Sequence, residues 1–245
     1  MIDGFYHAIS KYYDYIFPVG QEQLAFLKNT CNSTTSKILD VACGNGGYSV
    51  ALAQEGHLVT AVDLDETMVA QAKHKAKEIL GSHEILFREA NMLDLSNTVS
   101  GPFDLIFCIG NSIVHLGGLS EVKRFLVEVK KLLAENGSAV FQIINFNRVF
   151  AHHITALPTI INEKIGLTFE RNYSFDEESG KVLFGTVLSV DGMEIDNSIP
   201  LYPLMSDDFA VLLAESGFKD CEFYGDFEGA RYDKNNSYML VIRAR

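Results

Sequence analysis

The sequence predicts an α/β fold: a doubly wound, mostly parallel seven-stranded sheet with an antiparallel insertion late in the chain. Short apolar runs alternate with helix-period segments through roughly the first 145 residues, the pattern of a parallel sheet covered by helices on both faces. After Arg148 the rhythm changes to alternating strand sequence broken by tight-turn residues. At 245 residues the chain is long enough for one substantial core with an insertion and short for two independent ones.

The elements follow in order. Strands are predicted over 38–41, 58–62, 85–88, 105–109 and 139–144, with helices over 47–54, 66–80 and 120–134; the connection 94–101 is too weakly patterned to assign. "ENG" follows the third helix, and Gly137 suits a left-handed turn closing it. In the insertion, "LTFERNYSF", "KVLFGTVLSV" and "MEIDNSIPLY" read as strands joined by "DEESG" and "DG" turns. "SDDFAVLLAES" reads as a helix with Ser206 as its cap, and "CEFYGDF" with "SYMLVIRAR" as a final strand pair. This divides the chain into an N-terminal helical lid (1–35), a sheet domain (36–147 and 206–245) and an antiparallel cover (148–205).

Composition narrows the function. Twenty basic against 32 acidic residues leave a net charge of −12, a field that repels nucleic acid and anionic membranes and favours a cationic small molecule. The Lys-rich run 71–78 reads as the wet face of a helix. The N-terminus, "MIDGFYHAISKYYDYIFP", carries acids and tyrosines where a signal peptide needs a basic and then apolar stretch, so a cytoplasmic protein is expected. Cys31, Cys43, Cys108 and Cys221 lack disulfide or zinc spacing, and the His152-His153 doublet has no third ligand partner, so no metal is expected.

The most informative stretch is "ILDVACGNGGYSV". A strand ending at Asp40, then small residues, then a helix brings bare main chain close to a ligand at the C-terminal edge of the sheet. The next strand ends at Asp63, 63 − 40 = 23 positions on, where an acid accepts hydrogen bonds from both hydroxyls of a ribose. A dinucleotide motif, GxGxxG, is incomplete: Gly44 and Gly46 are present, but Ser49 holds the third position. An NAD-dependent oxidoreductase survives only as that partial match. Asp40 suits an ammonium group better than a pyrophosphate, and S-adenosylmethionine carries an ammonium and a sulfonium.

These residues resemble a known family. "LDVACGNG" is similar to the first motif of class I S-adenosylmethionine-dependent methyltransferases, with Ala42 in place of the first glycine, and "AVDLDETMV" to the second. The resemblance implies a Rossmann-like fold, Asp63 on the ribose, and Leu64 and Met68 flanking the adenine. In "REANMLDL", Asn91 would accept from the adenine amine and Met92 offer its backbone amide. It further implies cofactor contacts from Asp40, Gly44, Asn45, Gly46, Ile109 and Tyr13. "FDLIFCIGNSIVHL", "EANMLDL", "LYPLMSDDF" and "YGDF" resemble the glycine N-methyltransferase group over most of the chain. That group's substrate-facing asparagine would be Asn111, and its active-site tyrosine Tyr202. Its carboxylate-binding arginine would fall at about Ile144, with Arg148 out of register, which argues against glycine and leaves another small acceptor open.

Methyl transfer is an in-line displacement in which orientation alone supplies roughly 7–11 kcal/mol of barrier reduction, so no catalytic triad is required. Asn111 and Ser112 lie just past the fourth strand, on the edge facing an acceptor. His115 is a candidate general base by its ordinary pKa, or else caps the following turn. Tyr13, on the lid, offers an aromatic face to a sulfonium or ammonium. The expected activity is methyl transfer to an amine or hydroxyl of a small molecule by a monomer or homodimer, without nucleic-acid or membrane partners. The alternative is a non-catalytic cofactor-binding or regulatory module.

Overall fold

The computed structural model describes residues 9–31, 33–81 and 84–245; residues 1–8 of the expected lid lie outside the described residues. Two short helices, α1 (Tyr13–Ile16) and α2 (Gln21–Thr30), precede β1 (Lys37–Val41). There follow α3 (Gly47–Gln54), β2 (Leu58–Asp63), α4 (Glu66–Leu80), β3 (Leu86–Glu89), the single turn α5 (Leu95–Thr98), β4 (Phe103–Cys108), α6 (Leu119–Leu132) and β5 (Leu133–Ile144). After α7 (Phe146–Ala151) come β6 (Ala156–Asn162), β7 (Leu167–Asp176), β8 (Lys181–Val190) and β9 (Met193–Leu201). The chain closes with α8 (Ser206–Glu215), β10 (Cys221–Tyr224) and β11 (Met239–Ala244).

Two sheets result, a seven-stranded one in the order β10-β11-β5-β4-β1-β2-β3 and a four-stranded one in the order β6-β7-β8-β9. Strands β1 to β5 run parallel, whereas β11 lies antiparallel to both β5 and β10. The chain leaves β1 in one direction through β2 and β3, then returns to β4 on its other side. That reversal opens a crevice at the C-terminal ends of β1 and β4, where such sheets bind ligands.

Helix α6 packs on the sheet because Val122, Phe125, Leu126, Val129 and Leu132 recur at helical spacing and are all buried. Phe141 of β5 meets Phe125, Phe209 and Phe218 at ring-centroid distances of 6.0, 5.8 and 6.1 Å. Burying each such ring stabilises the fold by roughly 1.5–3 kcal/mol. The inner face of the second sheet, including Leu167, Phe169, Leu188 and Ile199, joins the same apolar core, as do Ile9, Tyr12 and Ile16. Phe17 lies edge-on to Phe169 at 5.9 Å, joining the N-terminal segment to that sheet.

Several expectations are corrected. Gly137 does not close a helix: α6 ends at Leu132, and Gly137 lies inside β5. A Cβ there would stand 2.8 Å from the carbonyl oxygen of Phe103, so the glycine serves a close strand approach. Ser206 is the first residue of α8 rather than its cap; its N–H is accepted by Asn147 Oδ1 at 3.0 Å, a cap supplied from α7. The insertion has a fourth strand, β6, that the sequence reading did not assign. The "DG" turn between β8 and β9 does form, with Asp191 and Gly192 both at positive φ (53° and 74°).

Gly46 has φ +76°, and a Cβ there would stand 2.9 Å from Ala72 Cβ and 3.0 Å from Phe87. Gly56 also has positive φ, +91°, but nothing within 4 Å. Urea denaturation should therefore show Gly46→Ala costing about 1–3 kcal/mol more than Gly56→Ala. Equal losses would contradict the packing behind the loop.

Candidate active site

The loop between β1 and α3 coils tightly enough to hold Ala42, Gly44 and Gly46 at φ of 59°, 54° and 76°. Ala42 therefore occupies a left-handed position that a glycine would take without strain. Gly44 is pinned on two sides. Its N–H donates to Asp63 Oδ2 at 2.7 Å, and a Cβ on it would meet Tyr13 Oη at 2.9 Å. The Tyr13 phenol thus lies directly on the main chain of the loop. Next along α1, Asp14 accepts from Asn45 Nδ2 (2.9 Å) and Lys75 Nζ (2.6 Å), joining α1 to the loop and to α4.

Asp63, at the end of β2, also accepts from the Asp65 N–H at 3.0 Å. Burial pushes its carboxyl above the usual carboxylate range even though these backbone N–H groups pull it down. Asp40 is fully buried and accepts from Ser49 Oγ at 2.6 Å. Burial raises its pKa to about 7; the Ser49 bond opposes this, and the neighbouring Asp63 charge adds to it. Neither acid has a basic partner among the described residues. Two poorly solvated acids side by side favour whatever brings positive charge.

Two cavities open at the crevice. The first, about 310 Å³, is lined by Val41, Ala42 and Gly44, by Asp63, Leu64, Asp65 and Met68, by Asn91, Met92 and Leu93, and by Ser112, Leu116 and Glu121. The second, about 390 Å³, runs from Asp40, Asn45 and Tyr48 past Asn111, Gln142 and Ile144 to Arg171, Tyr173 and Phe184 of the second sheet. Tyr13, Ala42, Ile109, Gly110 and His115 line both and form the neck between them.

Most residues singled out from the sequence thus line one cavity or the neck; Gly46 and Tyr202 line neither. Gly46 is the N-cap of α3, backed by Ala72 and Phe87. The Tyr202 N–H donates to the Val114 carbonyl at 2.7 Å, and its ring lies beside Gly118. Asn91 Oδ1 accepts from the Leu93 N–H at 2.9 Å, capping a turn, which leaves one acceptor lone pair. Asn111, at φ +69°, accepts from the Ile144 N–H at 2.8 Å and so ties the end of β4 to β5. Gln142 does the same from the other strand, accepting from the Gly110 N–H at 2.7 Å. Burial lowers the His115 pKa to about 4, which keeps the ring neutral at pH 7. Arg148 stacks 5.6 Å from the Tyr238 ring and lines neither cavity. Sequence reasoning missed Gln142, Arg171, Tyr173 and Tyr238; Arg171 alone carried a signal, a charge at an inward-facing position of β7.

Residues 38–137 match the family model described as a methyltransferase domain. Residues 38–137 therefore form a methyltransferase domain. A putative methyltransferase of Geobacillus sp. is 39% identical over 48% of this chain, a match that covers 46% of that relative. The glycine/sarcosine N-methyltransferase of Halorhodospira halochloris is 21% identical over 98% of this chain and 87% of its own length. Among solved structures, the CcbJ methyltransferase from Streptomyces caelestis superposes with a TM-score of 0.81 at 19% identity, over 97% of this chain and 95% of that one. Likeness at that identity extends the shared fold across the second sheet, beyond the methyltransferase domain itself. Among the described residues no helix is long and apolar enough to cross a membrane, and no group of three or more His, Cys, Asp or Glu could hold a metal ion.

The burial of Asp40 has a measurable consequence. Because its folded-state pKa, about 7, lies above the ordinary 3.8, the protonated form is favoured by folding. Its contribution is full below the ordinary value and is lost as pH rises through about 7. Asp40→Asn should abolish a loss on the order of 4 kcal/mol in ligand-free stability between pH 4 and pH 8. An unchanged pH profile in urea titrations of the variant would refute this.

Proposed function

We propose that the chain transfers a methyl group from S-adenosylmethionine to an amine or hydroxyl of a small molecule. What supports this most is a nucleoside-sized cavity ringed by acids and bare main chain, sharing a set of lining residues with a second, aromatic-walled cavity. The residues fit the cofactor. Asp63 would hold the ribose, Leu64, Met68, Asn91 and Met92 the adenine, and Asp40 the ammonium, while Gly44 lets the Tyr13 phenol lie close on the loop. When bound, S-adenosylmethionine supplies an electrophilic methyl group on a sulfonium, so the chain has to orient an acceptor and exclude water.

Four of the neck residues and the neighbouring Asn111 have roles in that task. Ile109 and Ala42 give the neck apolar walls, which disfavour water where the two cavities meet. Tyr13 covers it from the N-terminal segment, and its ring face favours a cation. His115, neutral at working pH, accepts a hydrogen bond from an acceptor without repelling a sulfonium. Asn111, its oxygen engaged by β5, keeps its amide N–H groups for the acceptor. The N-terminal segment and the second sheet together form the acceptor's cover.

Calorimetric titration with S-adenosylmethionine, against NAD as control, tests the reading. S-adenosylmethionine should bind and NAD should not, and Asp63→Ala should weaken binding by at least about thirtyfold through loss of charge-assisted hydrogen bonds. Unchanged affinity in the variant, or a preference for NAD, would overturn it.

A further inference from the structure

The second cavity contains a charge that the fold does not explain. Along β7, Leu167, Phe169, Arg171 and Tyr173 share one face by the two-residue period of a strand. Leu167, Phe169 and Tyr173 are buried in the main core. Arg171 therefore stands in a core-facing row, where a charge disfavours folding unless it serves something else.

Its surroundings sharpen the point. Lysine is absent from the residues lining this cavity, and with His115 neutral, Arg171 is the one cation facing it among the described residues. In a chain with 32 acidic residues, it forms no ion pair with any described residue. Its Nη2 donates to the Pro158 carbonyl at 2.5 Å, and its buried Nε has no hydrogen-bond partner. The Pro158 bond is itself a positioning device. The β6–β7 register shifts between Leu157 and Ile160, an irregularity that takes Pro158 out of the ladder and turns its carbonyl to the guanidinium. The same cavity is lined by the apolar Ile144 and by Tyr173, Tyr238 and Phe184.

We infer that Arg171 is the specificity-determining residue of the acceptor cavity and binds the carboxylate of a small carboxylic-acid acceptor, such as an amino acid with an apolar or aromatic body. This rests on the methyl-transfer reading above. A single guanidinium balances one negative charge, which suits a carboxylate better than a phosphate dianion. Arg171 belongs to the second sheet while the neck is built from the ends of β1 and β4, so an acid group held by Arg171 leaves the nucleophile directed to the neck.

The test titrates matched pairs into protein saturated with S-adenosylhomocysteine: L-phenylalanine against 2-phenylethylamine, L-histidine against histamine, and glycine against methylamine. In the unaltered protein at least one acid should bind about tenfold or more tighter than its decarboxylated partner, the strength of a charged hydrogen bond. Arg171→Met should reduce that ratio to about two or less, and Arg171→Lys should restore part of it while losing the fork geometry. S-adenosylhomocysteine affinity should stay within about twofold in both variants, since Arg171 does not line the nucleoside cavity. Preference for the decarboxylated partners, an acid preference that survives Arg171→Met, or silence of every acid in protein that binds S-adenosylhomocysteine would overturn the inference. Failure of the unaltered protein to bind S-adenosylhomocysteine would instead overturn the methyl-transfer reading on which it rests.

Discussion

The hydrogen bond from the Gly44 N–H to the Asp63 carboxylate, 2.7 Å long, is the constraint on which the site depends. It holds the turn after β1 against the end of β2, so the loop can coil through three left-handed residues without drifting from the sheet. It also buries an acid beside a second one, Asp40, and no described basic side chain answers either. A folded protein tolerates two such groups when a bound ligand supplies the missing charge. The parallel register, Asp40 beside Ala61 and so one pleat from Asp63, is what brings the acids together.

From that corner the rest of the molecule is a matter of enclosure. The sheet reversal between β1 and β4 opens the crevice, and α1 covers it through Tyr13 on the loop and Asp14 on Asn45 and Lys75. The second sheet closes the far side with its inner face, shared with the main core. Asn111 and Gln142 spend their side-chain oxygens on backbone N–H groups at the ends of β5 and β4. They hold the rim in shape, a task that residue type alone does not reveal.

The central elements were legible in the sequence because local pattern and tertiary role agree there. The bounds of α3 and α4 coincide with the predicted 47–54 and 66–80, since helical periodicity and flanking glycines say the same thing. Legibility failed where a residue's reason is long-range. Gly137 reads as a helix stop, but its use is to pass close to the carbonyls of β4. Strand β6 carries Pro158, which argues against a strand, and it is admitted only because it is an edge strand with a bulge. Tyr202 had the right type and a suggestive neighbour in Pro203, yet its backbone bond to Val114 fixes its ring beside Gly118, off both cavities. Arg171 broke the alternation of its strand in plain view, but only the cavity shows what that exception faces.

The most direct measurement is a crystal structure of the protein grown with S-adenosylhomocysteine. The account predicts the nucleoside in the first cavity with both ribose hydroxyls donating to Asp63, the ammonium toward Asp40, and the sulfur at the neck between Ala42, Ile109 and His115. A nucleoside bound in the second cavity, or one whose ribose turns away from Asp63, would contradict it.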